Sequence, residues 1–87
     1  MSHNMSDSGV RRYFFDLCEN GDFFPDREGC ECSDASKAYE IAREKVRRVF
    51  RRRLREGRVP LGGYVSVRLD CGERLMFVPY REVLAAS

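Results

Sequence analysis

Ser33-Asp34-Ala35-Ser36-Lys37-Ala38-Tyr39-Glu40-Ile41-Ala42-Arg43-Glu44-Lys45-Val46-Arg47-Arg48-Val49-Phe50-Arg51-Arg52-Arg53-Leu54-Arg55-Glu56-Gly57 is the longest periodic stretch of this 87-residue chain, and its reading decides the fold. Apolar residues at 35, 38, 39, 42, 46, 49 and 50 recur at three- and four-residue spacing, which makes one helical stripe with Ile41 on its edge. Ser33-Asp34 offers an N-cap oxygen. Gly57 suits a helix C-terminus, and Pro60 prevents the helix from resuming. The spacing predicts one helix from about 34 to 56, roughly 34 Å long at 1.5 Å per residue. A strand of five or six residues spans only about 17–20 Å. The helix is therefore expected to overhang its sheet and to leave Arg51, Arg52, Arg53 and Arg55 in solvent without partners in the chain.

The segments on either side read as strands. Arg12 to Cys18 is rich in aromatics and ends at the polar turn Glu19-Asn20-Gly21-Asp22. By the two-residue period, Tyr13, Phe15 and Leu17 share one face and Phe14, Asp16 and Cys18 the other. Pro25 argues against a central strand there, so a short second strand is expected around 28–32, paired as a hairpin with the first. Beyond the helix, Tyr64 to Asp70 alternates, with Val65, Val67 and Leu69 on one face. Asp70-Cys71-Gly72-Glu73 is a tight turn, Arg74 to Tyr80 is its partner strand, and Arg81 to Ala85 is a last helical turn. The alternation of the final strand is poor. Leu75 and Phe77 are assigned to the helix side, and Met76, Val78 and Tyr80 to the other. The expected fold is α+β, in the order ββαββ: a four-stranded, mainly antiparallel sheet with one long helix packed on one face. Residues 1–11, which include the single histidine His3, read as a disordered tail, and 12–84 as a single domain.

At 43% hydrophobic and 34% charged residues, the composition is that of a globular chain rather than a disordered one. No apolar run approaches the roughly 18 residues of a membrane span, and the N-terminus has no apolar core of the signal-peptide type. The expected location is the cytoplasm, where Cys18, Cys30, Cys32 and Cys71 would stay reduced. The net charge of +2 conceals a dipole. Residues 1–36 carry three basic and eight acidic groups, whereas residues 37–58 carry ten basic and three acidic.

Catalytic chemistry finds little support. A Ser or Cys nucleophile needs a positioned base, most often histidine, and His3 lies in the tail. Gly62-Gly63 lacks the phosphate-loop pattern. Cys30-x-Cys32, with Cys18 and Cys71, could in principle supply four thiolates to zinc. Strand spacing favours core packing instead, so no metal, cofactor, catalytic residue or small-molecule substrate is expected. Two surfaces invite partners. Arg43, Arg47, Arg51 and Arg55, at intervals of four, form a ridge suited to an anion, whether nucleic acid or an acidic protein surface; the alternative is a solvated face. Phe14, Met76, Val78 and Tyr80 are assigned to the sheet face that one helix cannot cover, and suggest an oligomer interface or a small protein partner.

Arg12-Tyr13-Phe14-Phe15-Asp16-Leu17, Asn20-Gly21-Asp22, Asp26-x-x-Gly29, Ser33-Asp34-x-x-x-Ala38-x-x-x-Ala42 and Val78-Pro79-Tyr80 together resemble a family of short bacterial proteins known only as a domain of unknown function. The likeness covers roughly residues 11–84, and its motifs are structural, so it implies a fold and no activity. Where that family usually has aliphatic residues after the glycine, this chain has Cys30 and Cys32. Phe24-Pro25-Asp26-x-x-Gly29-Cys30 followed by Ala38-x-x-x-Ala42 also resembles the HicB-type antitoxin core over about 20 residues. That core is a partial ribonuclease-H-like domain that neutralises a small RNA-cleaving toxin. Here the spacing from Gly29 to Ala38 is shorter, and no separate DNA-binding module follows. The function expected from these features is a non-enzymatic module that self-associates as a homodimer or docks a small protein partner; the alternative is a nucleic-acid-binding or antitoxin-like regulator that uses its arginine-rich helix.

Overall fold

A computed structural model of the chain describes residues 10–60 and 62–85. The elements are β1 (Arg11–Glu19), β2 (Asp22–Phe24), β3 (Cys30–Cys32), α1 (Ala35–Arg55), β4 (Tyr64–Leu69), β5 (Arg74–Pro79) and α2 (Tyr80–Ala85). They form one antiparallel sheet in the order β2-β1-β4-β5, with β3 also paired to β1. No helix among the described residues is long and apolar enough to cross a membrane. The tail expected over 1–11 lies outside the described residues except for Val10 and Arg11, and Arg11 already belongs to β1.

The sheet has five strands rather than four. The second strand expected around 28–32 is β3, and a further short strand that was not expected, β2, lies on the same edge of β1. β2 pairs with its C-terminal end and β3 with its N-terminal end. Pro25 has no N–H to give to a ladder, and the chain leaves the sheet there until Cys30. Asn20 and Gly21 both take positive φ, +53° and +84°, the conformation that a two-residue turn between twisted strands requires.

Helix α1 forms where its stripe predicts. The Asp34 carboxylate accepts the Lys37 N–H at 2.8 Å. At the other end Gly57 N–H donates to Leu54 O at 2.9 Å and Arg58 N–H to Arg53 O at 2.8 Å, with Gly57 at φ +80°. This left-handed exit satisfies carbonyls that would otherwise be orphaned. Ala38, Ala42, Val46 and Val49 are buried against Tyr13, Phe15 and Leu17 of β1, Val65, Val67 and Leu69 of β4, and Val78, Tyr80 and Val83. Burying large apolar side chains of this kind is worth about 1.5–3 kcal/mol each.

Two expectations fail in the fold. Met76 and Val78 face the helix, because β5 pairs Val67 with Met76 and Val65 with Val78, and cross-strand partners share a face. Val78 and Tyr80 are fully buried, and Met76 packs against the core, so only Phe14 of the four proposed interface residues lies on the open face. Phe77, assigned to the helix side, points the other way. A register shift beside Arg68 leaves Leu75 as the extra residue and brings Arg74 opposite Arg68, which explains the poor alternation. The helix also does not simply outrun the sheet. β1 has nine residues and is about 30 Å long, nearly the length of α1. Its last residue, Glu19, captures Arg53, whose side chain is only 12% exposed. Arg51, Arg52 and Arg55 remain exposed.

Candidate functional site

Three polar arrangements organise the surfaces. The first closes the gap between β2 and β3. With no strand opposite it, the Phe15 N–H donates to Asp26 Oδ2 at 3.1 Å. Asp26 Oδ1 accepts the N–H groups of Glu28 and Gly29, both at 3.1 Å, while the Lys45 ammonium donates to Phe15 O. One side chain and one lysine thus replace a missing rung of the ladder. Burial raises the Asp26 carboxyl, but three backbone donors and the charge of Lys45 outweigh it and hold the group below its usual range. Burial lowers the Lys45 ammonium, against the opposing pull of Asp26 and Asp16. Gly29 fits here because a Cβ would sit 2.9 Å from both the Phe14 ring and Tyr13 O, at a φ of +73°.

The second lies on the open face. Asp16, fully buried, accepts from Arg68 Nε at 2.7 Å and Nη2 at 3.3 Å, and from the Asp26 N–H at 2.8 Å. Arg68 also lies over the Phe14 ring, 4.6 Å from its centroid. Arg74 reaches Ser66 Oγ at 2.6 Å. A buried carboxylate held by bidentate arginine is tolerable here because both of its oxygens accept hydrogen bonds, with Arg74 adding charge at 3.8 Å.

The third sits at the end of β1. Glu19 accepts from Arg53 Nε and from the Tyr80 hydroxyl, both at 2.8 Å. Burial raises the Glu19 carboxyl, but these donors, with the charges of Arg53 and Arg58, bring it below its usual value; burial also raises the Tyr80 hydroxyl. Gly63 admits the Tyr80 ring: a Cβ there would lie 2.6 Å from it.

With these groups engaged, what faces solvent on the open side is aromatic. Cys18 pairs with both Phe23 and Tyr64, and Ser66 with Phe77, so Phe23, Tyr64 and Phe77 share this face. Phe23 is 51% and Phe77 59% exposed. Tyr64 and Phe77 meet edge to face with centroids 5.5 Å apart. A groove of about 490 Å³ runs past them over Gly62, Gly63 and Pro79 to Arg81. This aromatic surface beside β5 replaces the interface expected at Met76, Val78 and Tyr80. The bulge hid it from the sequence: the ladder beside the turn pairs Arg68 with Arg74, and only the extra residue Leu75 brings Met76 opposite Val67 and turns Phe77 outward.

The arginine ridge is not one face. Steps of four advance 400°, so each residue turns 40° relative to the last. Arg43 lies half-buried over Tyr39, 5.7 Å from its ring centroid, and Arg47 is half-buried beside Glu44 at 3.6 Å. Arg51, 3.8 Å from Glu44, and Arg55 are exposed. Among the described residues, no group of three or more His, Cys, Asp or Glu is placed to hold a metal ion. All four cysteines are free thiols; Cys30 and Cys71 are exposed, Cys18 is half-buried, and Cys32 is buried. Burial raises the Cys32 thiol, and neighbouring Cys30 adds to the effect.

No curated protein and no solved structure matches the chain. Residues 12–81 match the family described as a domain of unknown function (DUF6894), and since that span is most of the chain, the protein belongs to this family.

Proposed function

We propose that the chain is a non-enzymatic self-associating module, in which β5 pairs antiparallel with β5 of a second copy. The observation that carries this is Phe77, 59% exposed on a free edge strand whose sequence, Leu75-Met76-Phe77-Val78, has no charge. Unpaired N–H and C=O groups on an apolar edge are a template for another strand, and the devices that usually oppose this (charge, a bulge, proline) sit only towards the ends of β5, at Arg74, Leu75 and Pro79. The opposite edge has such protection: β2 and β3 are three residues each and are separated by Pro25 and the Asp26 plug. An antiparallel edge is self-complementary about a two-fold axis, so a second copy fits it without any further recognition element. Phe77 and Tyr64 then meet their counterparts across the seam.

A binding role is also favoured by where the displaced pKa values fall. Asp26, Glu19 and Lys45 are each committed to hydrogen bonds that hold the fold; Asp26 and Lys45 line one small cleft, but there both are spent on the backbone of Phe15. Light scattering over a concentration series tests the reading. The expected mass is twice that of the 10.1 kDa chain, and Phe77→Glu is expected to return it to one chain with an unchanged circular dichroism spectrum. A monomer at millimolar concentration would overturn the reading. A dimer indifferent to Phe77→Glu would overturn the β5 seam.

A further inference from the structure

The charges along α1 change character at Glu44. Lys37, Glu40, Arg43 and Glu44 alternate in sign over the first half. Residues 45–58 then hold eight basic groups and one acidic one. At 100° per residue, Arg48, Arg51, Arg52 and Arg55 fall within one sector of about 100° on the side away from the core. All four are exposed. Arg53, which points inward, is taken by Glu19, and the acidic group nearest the patch is Glu44, 3.8 Å from Arg51.

Two simpler roles do not account for this. Basic side chains complement the helix dipole only within the last turn, and Arg48 and Arg51 lie before it. Solubility is served by mixed charges, as in the first half of the same helix, whereas like charges at successive i,i+3 and i,i+4 positions repel one another. The choice of arginine throughout adds planar donor forks that match phosphate oxygens. The four heads are strung over roughly 10 Å of helix axis instead of converging on a point. That spacing suits a row of phosphates better than a single one.

We infer that Arg48, Arg51, Arg52 and Arg55 form a binding surface for the phosphate backbone of nucleic acid. It recognises charge and not sequence, because backbone contacts position a protein without reading bases, and no Asn or Gln lies in the patch to read an adenine edge. The surface is on the solvent side of α1, away from β5, so it stands or falls independently of the self-association above.

The test is fluorescence anisotropy with a 20-base-pair DNA duplex and an RNA single strand, each in two unrelated sequences, over a salt series. Binding is expected at low salt, equal for unrelated sequences, and weakening linearly in log affinity against log salt. On the duplex, Arg48→Ala with Arg52→Ala is expected to reduce that slope by about 1.8, at 0.9 per lost contact. Arg48→Lys with Arg52→Lys keeps the charge and is expected to restore most of it. Arg27→Ala, in the exposed loop between β2 and β3, is the control and leaves the slope unchanged. Absence of binding at low salt, a slope indifferent to the double alanine variant, or binding confined to vesicles of anionic lipid run in parallel would each overturn the inference.

Discussion

Replacing Asp26 with alanine probes the one place where a side chain stands in for a strand. The carboxylate serves three backbone N–H groups: Phe15, Glu28 and Gly29, each at 3.1 Å. Their losses are unequal. Glu28 is exposed, so water can take over its N–H. Phe15 is 3% exposed and its N–H faces the gap between β2 and β3, so the variant leaves a buried donor unpaired. A hydrogen bond to a charged acceptor contributes about 1.5–3 kcal/mol, and an unsatisfied buried donor costs about 1–3. Lys45 loses its nearest countercharge as well. The expected destabilisation is about 3 kcal/mol, a large part of the 5–15 typical of a whole domain. Urea denaturation followed by circular dichroism measures it, as a lower midpoint with an unchanged slope. The pH dependence gives a second check. The folded-state pKa of Asp26 is lowered, so its contribution is complete above the ordinary aspartate value of about 3.9 and is lost as pH falls through the folded value. The gap between wild type and Asp26→Ala is therefore expected to be constant from neutral pH to about 5 and to shrink below about 4. A difference under about 0.5 kcal/mol, which is ordinary for a surface site, or one that widens in acid, would refute this account of the plug.

Two neighbouring glycines should respond oppositely to the same substitution. Gly63→Ala places a Cβ 2.6 Å from the Tyr80 ring and 3.0 Å from Cys18 O, and is expected to cost about 2–3 kcal/mol as an overpacked site. Gly62→Ala meets nothing within 4 Å and is expected to be nearly neutral; equal thermal midpoints for the two variants would contradict the packing of Tyr80. Among the thiols, Cys30 and Cys71 are expected to alkylate rapidly at neutral pH, and Cys32 only as the chain unfolds, because it is 2% exposed and burial raises its thiol. Mass spectrometry of a time course decides this, and Cys32 reacting as fast as Cys71 would contradict it.

The elements whose signals are local were legible in the sequence. Asp34, the apolar stripe and Gly57 each mark α1 within a few residues, and the helix runs from Ala35 to Arg55 as they predict. The faces of β1 and β4 followed from alternation alone. What was not legible depended on pairing. Glu19 reads as part of a turn, yet it ends a nine-residue strand and meets Arg53, 34 positions later, and Tyr80, 61 positions later. Asp16 reads as a polar residue on an exposed face, and only Arg68 and Arg74, from strands that follow the helix, make its burial tolerable. Asp26 reads as a turn former, which it is, and also as nothing more, because no local pattern announces that Phe15 lacks a strand partner. The fold class was thus within reach of periodicity, whereas the polar networks required knowing which strands lie side by side.

The two edges of the sheet bear on how far self-association can go. An edge strand that pairs with a different surface can propagate into a fibre, whereas one that pairs with itself about a two-fold axis closes. Here the β2–β3 edge is interrupted at its middle by Pro25, has its central N–H occupied by Asp26 and its central carbonyl by Lys45, and carries Asp22, Glu28 and Glu31. A third copy has no continuous ladder to join on that side. β5 offers six residues, from Arg74 to Pro79, with charge only at the first and proline only at the last. In an antiparallel pair centred on Phe77, which sets each Phe77 opposite its counterpart, Arg74 of each copy falls just beyond Pro79 of the other, at opposite ends of the seam. The two arginines are therefore kept apart, and each proline meets the outer limit of the ladder, where a missing N–H costs least. Pairing of this kind consumes the free β5 edge of each chain, so the assembly it predicts stops at two copies.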